Sequence, residues 1–434
     1  MTNQAGSSPA HGSKRDPNIK KSGTLLSKIK QIIGPSIITG ASDDDPSGIA
    51  TYTQAGAGFG YQFLWTALVS YPLIVTVQEM CARIGVVTRK GLTGILKTNY
   101  PKPVMWVMII LSFPAIVLNI SANLAGMGAV SNLLFPSIPA GAFATAFCLI
   151  LLFNLIKLSY RKIANILQFL CLVLLCYVIV PFLSKQNWGI ILKATLIPSV
   201  NFDTKSLSIL VGILGTTISP YLFFWQTSME VEEVKEKKIM VDKQMIIDVR
   251  KDIRIGMFVT NIIFFFIILT AGTELFPKGI TNINTVDQAA LALKPLVGQG
   301  AYLLFALGVI GTGLLAIPVL AGSLSYMLSE AFGWKEGLNK KFKKAKGFYA
   351  VMIVSMLLAL GINLLGINPV KALIYTAVLY GLTAPVLIGI IMHIGNNKKL
   401  MGEYTNRKSS NILGVATLLI MTAAAVTLIY LWLK

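Results

Sequence analysis

Long apolar runs separated by short charged turns dominate the chain. A helix needs about 20 mostly apolar residues to cross a bilayer. Eleven stretches fit, near residues 32–60, 62–86, 104–131, 139–158, 162–184, 206–230, 254–276, 299–329, 347–366, 369–394 and 411–433. The pattern predicts an all-α membrane protein, because backbone in hydrocarbon must satisfy its own hydrogen bonds.

Two spans break the pattern in the same way. The first holds Asp43, Asp44 and Asp45 directly before Pro46, Ser47 and Gly48. Proline removes a backbone donor and forces the preceding residue out of helical geometry, so this helix should come apart mid-span. Broken backbone at membrane depth survives only against a water-filled cavity or inside protein. A carboxylate beside it marks an ion or substrate site by default. The competing possibility is a solvated loop between two shorter helices, with Asp45 as a helix cap. The sixth span repeats the device, with Thr216, Thr217 and Ser219 ahead of Pro220. Paired interruptions at matching places point to an inverted-repeat transporter with its site at the midplane. The expected layout is a tail over 1–30, a first repeat over 31–184, a second over 206–394 and an eleventh span over 411–434.

Composition agrees, at 54% hydrophobic and 13% charged residues, with mean hydropathy +0.69. The net charge of +20 could suggest nucleic acid, but its placement gives another reason. Of the 38 lysines and arginines, 31 fall in the N-terminal tail and in the turns around 83–102, 157–162, 231–254, 335–346 and 398–408. All of these lie on one face if the spans alternate. The positive-inside rule makes that face cytoplasmic, with the N-terminus in and the C-terminus out, in the cell or inner membrane. No nucleic-acid partner is therefore implied, nor an obligate protein partner; the bilayer is the expected surrounding. The polar tail reads as disordered rather than as a signal peptide. The mixed-sign linker from Glu230 to Arg254 reads as a solvated, partly helical loop. Cys81, Cys148, Cys171 and Cys176 form no CxxC pair, so no disulfide framework or thiolate site is indicated.

The residues at the breaks resemble the Nramp family of divalent-metal transporters. That family carries DPGN and an ATDIQAGA-like run in its first span; here DPSG (Asp45–Gly48) leads into IATYTQAGA. QEMCARIGVVTRKGL, from Gln78 to Leu92, is similar to the family's LAARLGIVTGKDL, and Ser219–Leu222 stand at its MPHN. The resemblance implies a LeuT-like fold, with five plus five inverted helices, an eleventh, and the first and sixth unwound mid-membrane.

It also implies a ligand set, and the departures matter. Asp45 matches the family's anionic ligand and Thr216 its carbonyl ligand, whereas Gly48 replaces an asparagine and Ser219 a methionine. Losing the thioether favours Mg²⁺, Ca²⁺ or Mn²⁺ over softer metals. Smaller residues at two positions are expected to widen the cavity, which suits Mg²⁺ that keeps some of its water. Helix 3 of the family supplies an Asp and a Glu where this chain has Asn123 and Gly126, and its helix 6 histidines are replaced by Tyr221 and Gln226. A proton relay needs titratable groups in series. These features resemble the Nramp-related magnesium transporter branch and imply uptake of Mg²⁺, with Mn²⁺ accepted, without proton coupling.

The expected metal site is Asp45, Asp44, Gly48, Thr216, Thr217, Ser219 and Gln226, with no resident cofactor. Asp43 is a weaker candidate. The hydroxyls could instead satisfy freed backbone, and Gln226, Asn119 and Asn123 could hydrogen-bond between helices. Glu79 reads as the partner of a basic neighbour. The rival readings are a proton-coupled Mn²⁺/Fe²⁺ transporter and a sodium-coupled amino-acid transporter. In the latter, Asp45 would repel a substrate carboxylate. No catalytic triad, metal-hydrolase helix or phosphate loop suggests an enzyme.

Overall fold

The computed structural model describes residue 40 and residues 43–157, 170–184, 186–237 and 240–434. The expected tail, most of the first half of span 1 and the Tyr160–Lys162 turn lie outside the described residues. Helices α1 (Pro46–Phe59), α2 (Trp65–Thr88), α3 (Leu92–Asn99), α4 (Lys102–Leu134), α5 (Ala140–Lys157) and α6 (Cys176–Leu183) form the first half. After α7 (Trp188–Leu196) come α8 (Thr204–Thr217), α9 (Pro220–Lys237), α10 (Lys243–Glu274), α11 (Ala301–Phe332), α12 (Lys346–Asn363), α13 (Pro369–Asn396) and α14 (Lys408–Leu433). Among the described residues there is no strand.

Among the described residues, eight helical stretches are long and apolar enough to cross a membrane. Of the remaining expected spans, the first is described essentially from Asp43 and the fifth from residue 170. The second is α2, 24 residues long with Glu79 and Arg83 buried in it. The linker expected over 230–254 is mostly helix instead: α9 continues to Lys237 and α10 starts at Lys243. Charged residues at i, i+3 and i+4 support such a helical extension as readily as a loop.

Both breaks fall where proline demands. Asp44 and Asp45 are non-helical before Pro46, and α8 and α9 part at Ile218 and Ser219 before Pro220. Around them α1 packs on α10, α9 on α2, and α4 on α11 and α13. Two glycines allow close approaches between matching spans. A Cβ on Gly56 of α1 would lie 2.2 Å from the Ile268 carbonyl of α10, and one on Gly85 of α2 would lie 2.4 Å from the Thr227 carbonyl of α9. The first contact joins spans 1 and 7, the second spans 2 and 6. Exchanging the halves maps one contact onto the other, as an inverted repeat requires. Helices α5, α12 and α14 turn Phe153, Leu357 and Leu419 outward, the exposed apolar surface that suits lipid.

Candidate metal site at the paired helix breaks

The two breaks meet. Tyr52 on α1 shares a hydrogen bond of 3.1 Å with Thr217 of α8. A Cβ on Gly48 would lie 3.3 Å from Thr216 Oγ1. Ser219 stands beside Asp43. The N-terminus of α1, the C-terminus of α8 and the N-terminus of α9 therefore converge on one small volume.

Asp43, Asp44 and Asp45 are all buried there, at 2%, 0% and 2% exposure. A solvated loop is thereby excluded for this state. Asp45 caps α1: its Oδ1 accepts from the Gly48 N–H at 2.8 Å. Its Oδ2 accepts two amides from α4, Asn119 Nδ2 at 2.9 Å and Asn123 Nδ2 at 3.1 Å. Asn119 is held in turn by Thr376 of α13, whose hydroxyl lies 3.3 Å from Asn119 Oδ1 and 3.3 Å from Ser47 Oγ. The Thr376 hydroxyl's shorter bond goes to the Leu373 carbonyl at 2.8 Å, so the end of the Asn119 amide that faces Asp45 is set by the carboxylate itself, which only accepts. No oxygen of Asp43 or Asp44 is hydrogen-bonded, and Asn123 Oδ1 also lacks a partner.

No lysine or arginine among the described residues balances these three carboxylates; the groups around them are each other and Tyr52, Tyr221 and Tyr380. Buried, uncompensated anions are expensive, and a bound cation is the compensation this arrangement accepts. The carbonyl end of α8 adds negative potential to the same volume, against the positive N-terminal ends of α1 and α9. Among the described residues no three Asp, Glu, His or Cys side chains converge as a ready-made metal cage.

Several site expectations fare differently. Gly48 does not widen the cavity: its vacated space is occupied by the Tyr52 ring at 3.2 Å, Thr216 Oγ1 at 3.3 Å and the Asp43 carbonyl at 3.5 Å from an added Cβ. Ser219 donates to the carbonyls of Thr216 at 2.5 Å and Gly215 at 3.2 Å, and Thr217 donates to Ile213 at 2.7 Å. Both hydroxyl hydrogens thus serve backbone carbonyls, that of Ser219 at the break and that of Thr217 within α8, leaving oxygen lone pairs for other contacts. Gln226 is not joined to the aspartates; its amide donates to Glu230 one turn along α9, at 2.9 Å. Glu79 binds Arg83 at 3.1 Å and Arg250 at 2.8 Å. Asn119 and Asn123 are the site residues that sequence reasoning undervalued. Their spacing of four, polar within an apolar span, puts them on one helix face and was the available signal.

A family profile described as Nramp, natural resistance-associated macrophage protein-like, matches residues 36–431. The chain belongs to this family. With the family comes the broad activity, that of a multi-pass transporter of divalent metal ions and not an enzyme. Among similar proteins, the divalent metal cation transporter MntH of Chromohalobacter salexigens is 25% identical over 92% of this chain and 90% of its own length. That of Caldanaerobacter subterraneus subsp. tengcongensis is 25% identical over 95% of this chain and 96% of its own. The structure of the Eremococcus coleocola manganese transporter superposes with a TM-score of 0.74 at 19% identity, covering 95% of this chain and 88% of that one. MhsT in complex with L-phenylalanine gives 0.59 at 13% identity, with coverage of 92% and 97%. The fold is therefore LeuT-like, as expected. That a protein holding an amino acid shares it means that the fold alone leaves the substrate open.

Proposed function

We propose that this Nramp protein takes up Mg²⁺, partly hydrated and with Mn²⁺ also accepted, through the paired breaks, down the ion's own gradient and without proton coupling. The observation that carries the reading is the buried Asp43–Asp45 run, with no lysine or arginine among the described residues against it. One or two carboxylates with carbonyls, hydroxyls and retained water is the way proteins hold Mg²⁺. A thioether, which selects softer ions, is absent at Ser219. Asp45 is the central ligand, with Asp44 and Asp43 supplying charge and the Thr216 carbonyl, Thr217 and Ser219 supplying neutral oxygens. The uncoupled mechanism rests on α4, whose groups facing Asp45 are the neutral amides Asn119 and Asn123. On α4, therefore, no titratable group faces Asp45 to receive a relayed proton. The N-terminus faces the cytoplasm and the C-terminus the outside, in the cell membrane, on the strength of the charge bias.

A second reading, proton-coupled transport of Mn²⁺ or Fe²⁺, is favoured by the relatives, since the Eremococcus coleocola protein is described as a manganese transporter. Titration calorimetry on purified protein separates ligand assignment from folding. Mg²⁺ binding is expected in wild type and absent in Asp45→Ala, with an unchanged gel-filtration profile. Undiminished binding by a folded Asp45→Ala would sink the assignment.

A further inference from the structure

A recess lined by charged residues lies where α2 and α10 meet the segment leading into α14. It has a volume of about 200 Å³. Its wall holds four cationic side chains, Arg83, Lys243, Arg250 and Arg407, against one carboxylate, Glu403. Lys243 and Arg250 are seven residues apart on α10, two helical turns, so they share a face. Arg407 approaches from the other wall as the residue before α14.

The carboxylates nearby are already committed. Glu79 is shared between Arg83 and Arg250. Asp242 caps α10 through the Met245 N–H at 2.7 Å. Glu403 pairs with Lys243 at 3.7 Å, with both side chains more than half exposed, so this bridge is weak and readily exchanged. Arg83 is 4% exposed and fixed by the Tyr404 carbonyl and by Asn406 Oδ1 at 2.7 Å, which staples the 404–406 segment to α2. The cavity is thus a preformed recess whose cationic donors exceed its anions.

An independent feature points to the same ligand charge. No side chain caps the amino terminus of α14, which starts at Lys408 immediately after Arg407. An uncapped helix start presents N–H groups and a partial positive charge, the arrangement that binds phosphate. Basic recesses among membrane helices at the cytoplasmic face take phosphorylated lipid headgroups. Thr405 and Tyr404 line the same recess.

We propose that this recess binds a phosphate group, bridging α10 to the start of α14, and so linking the second repeat to the eleventh span. The same chemistry has two sources, the headgroup of an acidic phospholipid in the adjoining leaflet or a soluble phosphate ester.

The test uses full-length protein in nanodiscs and reads thermal unfolding at matched ionic strength. One arm compares phosphatidylcholine discs with discs containing about one third phosphatidylglycerol. The other titrates inorganic phosphate, with chloride as control, into phosphatidylcholine discs. Stabilisation in the first arm alone assigns a lipid headgroup; stabilisation in the second assigns a soluble phosphate. In Lys243→Gln/Arg407→Gln, both substitutions at exposed positions, the half-saturating concentration should rise about thirtyfold, from two lost charge contacts. Lys335→Gln/Lys344→Gln removes the same charge elsewhere and should respond as wild type does. No stabilisation in either arm overturns the proposal. So does an equal response in wild type and the Lys243/Arg407 variant, or an equal loss in both variants.

Discussion

Replacing Asn119 with alanine removes one of the two amide donors on Asp45 Oδ2 and leaves Asp45 otherwise untouched. The bond is 2.9 Å long and both residues are buried. A hydrogen bond to a charged group contributes about 1.5–3 kcal/mol, or roughly ten- to a hundredfold in an equilibrium that requires the oriented carboxylate. The Mg²⁺ concentration for half-maximal uptake into proteoliposomes should therefore rise by about ten- to a hundredfold in Asn119→Ala. Asn119 acts through Asp45, so a second readout separates positioning from folding. Asn119→Asp sets a carboxylate against Asp45, and two carboxylates at that distance cannot both stay charged. Its uptake should become pH-dependent across a range where wild type is flat. Asn119→Ala with wild-type concentration dependence, or Asn119→Asp with a flat pH profile, would refute the reasoning.

Two further outcomes test the surroundings. Ser219→Met places a thioether beside Asp43, and competition binding should show the Mn²⁺-to-Mg²⁺ preference rise about tenfold or more; an unchanged ratio would remove Ser219 from the selectivity argument. Gly48 is left alone in that test because its space is filled. Burial holds the Glu336 carboxyl up to about 7, with Lys235 and Lys340 pulling it down and Glu232 pushing it up. A raised carboxyl contributes stability that is complete below its ordinary value and lost as pH rises through about 7. Amides of the 334–345 loop should exchange faster at pH 8 than at pH 6, after correction for intrinsic rates, and Glu336→Gln should abolish the difference.

Proline chemistry is local, which is why both breaks were legible in the sequence. Pro46 and Pro220 each open a helix, where the missing N–H costs nothing. The polar residues ahead of them separate these breaks from Pro114 and Pro318, which sit inside continuous helices. The charge bias and the apolar spans are likewise properties of short windows. What the sequence concealed depends on residues far apart in the chain. The burial of all three aspartates follows from the packing of α4, α8 and α13 around the break, and no window of residues 40–50 contains that. The support given to Asp45 by Asn119 and Asn123 spans more than 70 positions. Small residues at Gly48 promised room, yet Tyr52 and Thr216 fill it, since interiors close up wherever side chains can reach. Gln226 found Glu230 on its own helix, a pairing that i, i+4 spacing allowed but family likeness obscured.

Ion flux into proteoliposomes loaded with Mg²⁺-, Mn²⁺- and pH-sensitive dyes tests the central claim most directly. The account predicts Mg²⁺ entry, with some Mn²⁺ entry, at constant internal pH. Mn²⁺ entry with acidification and no Mg²⁺ entry would contradict it and return this chain to proton-coupled transition-metal transport.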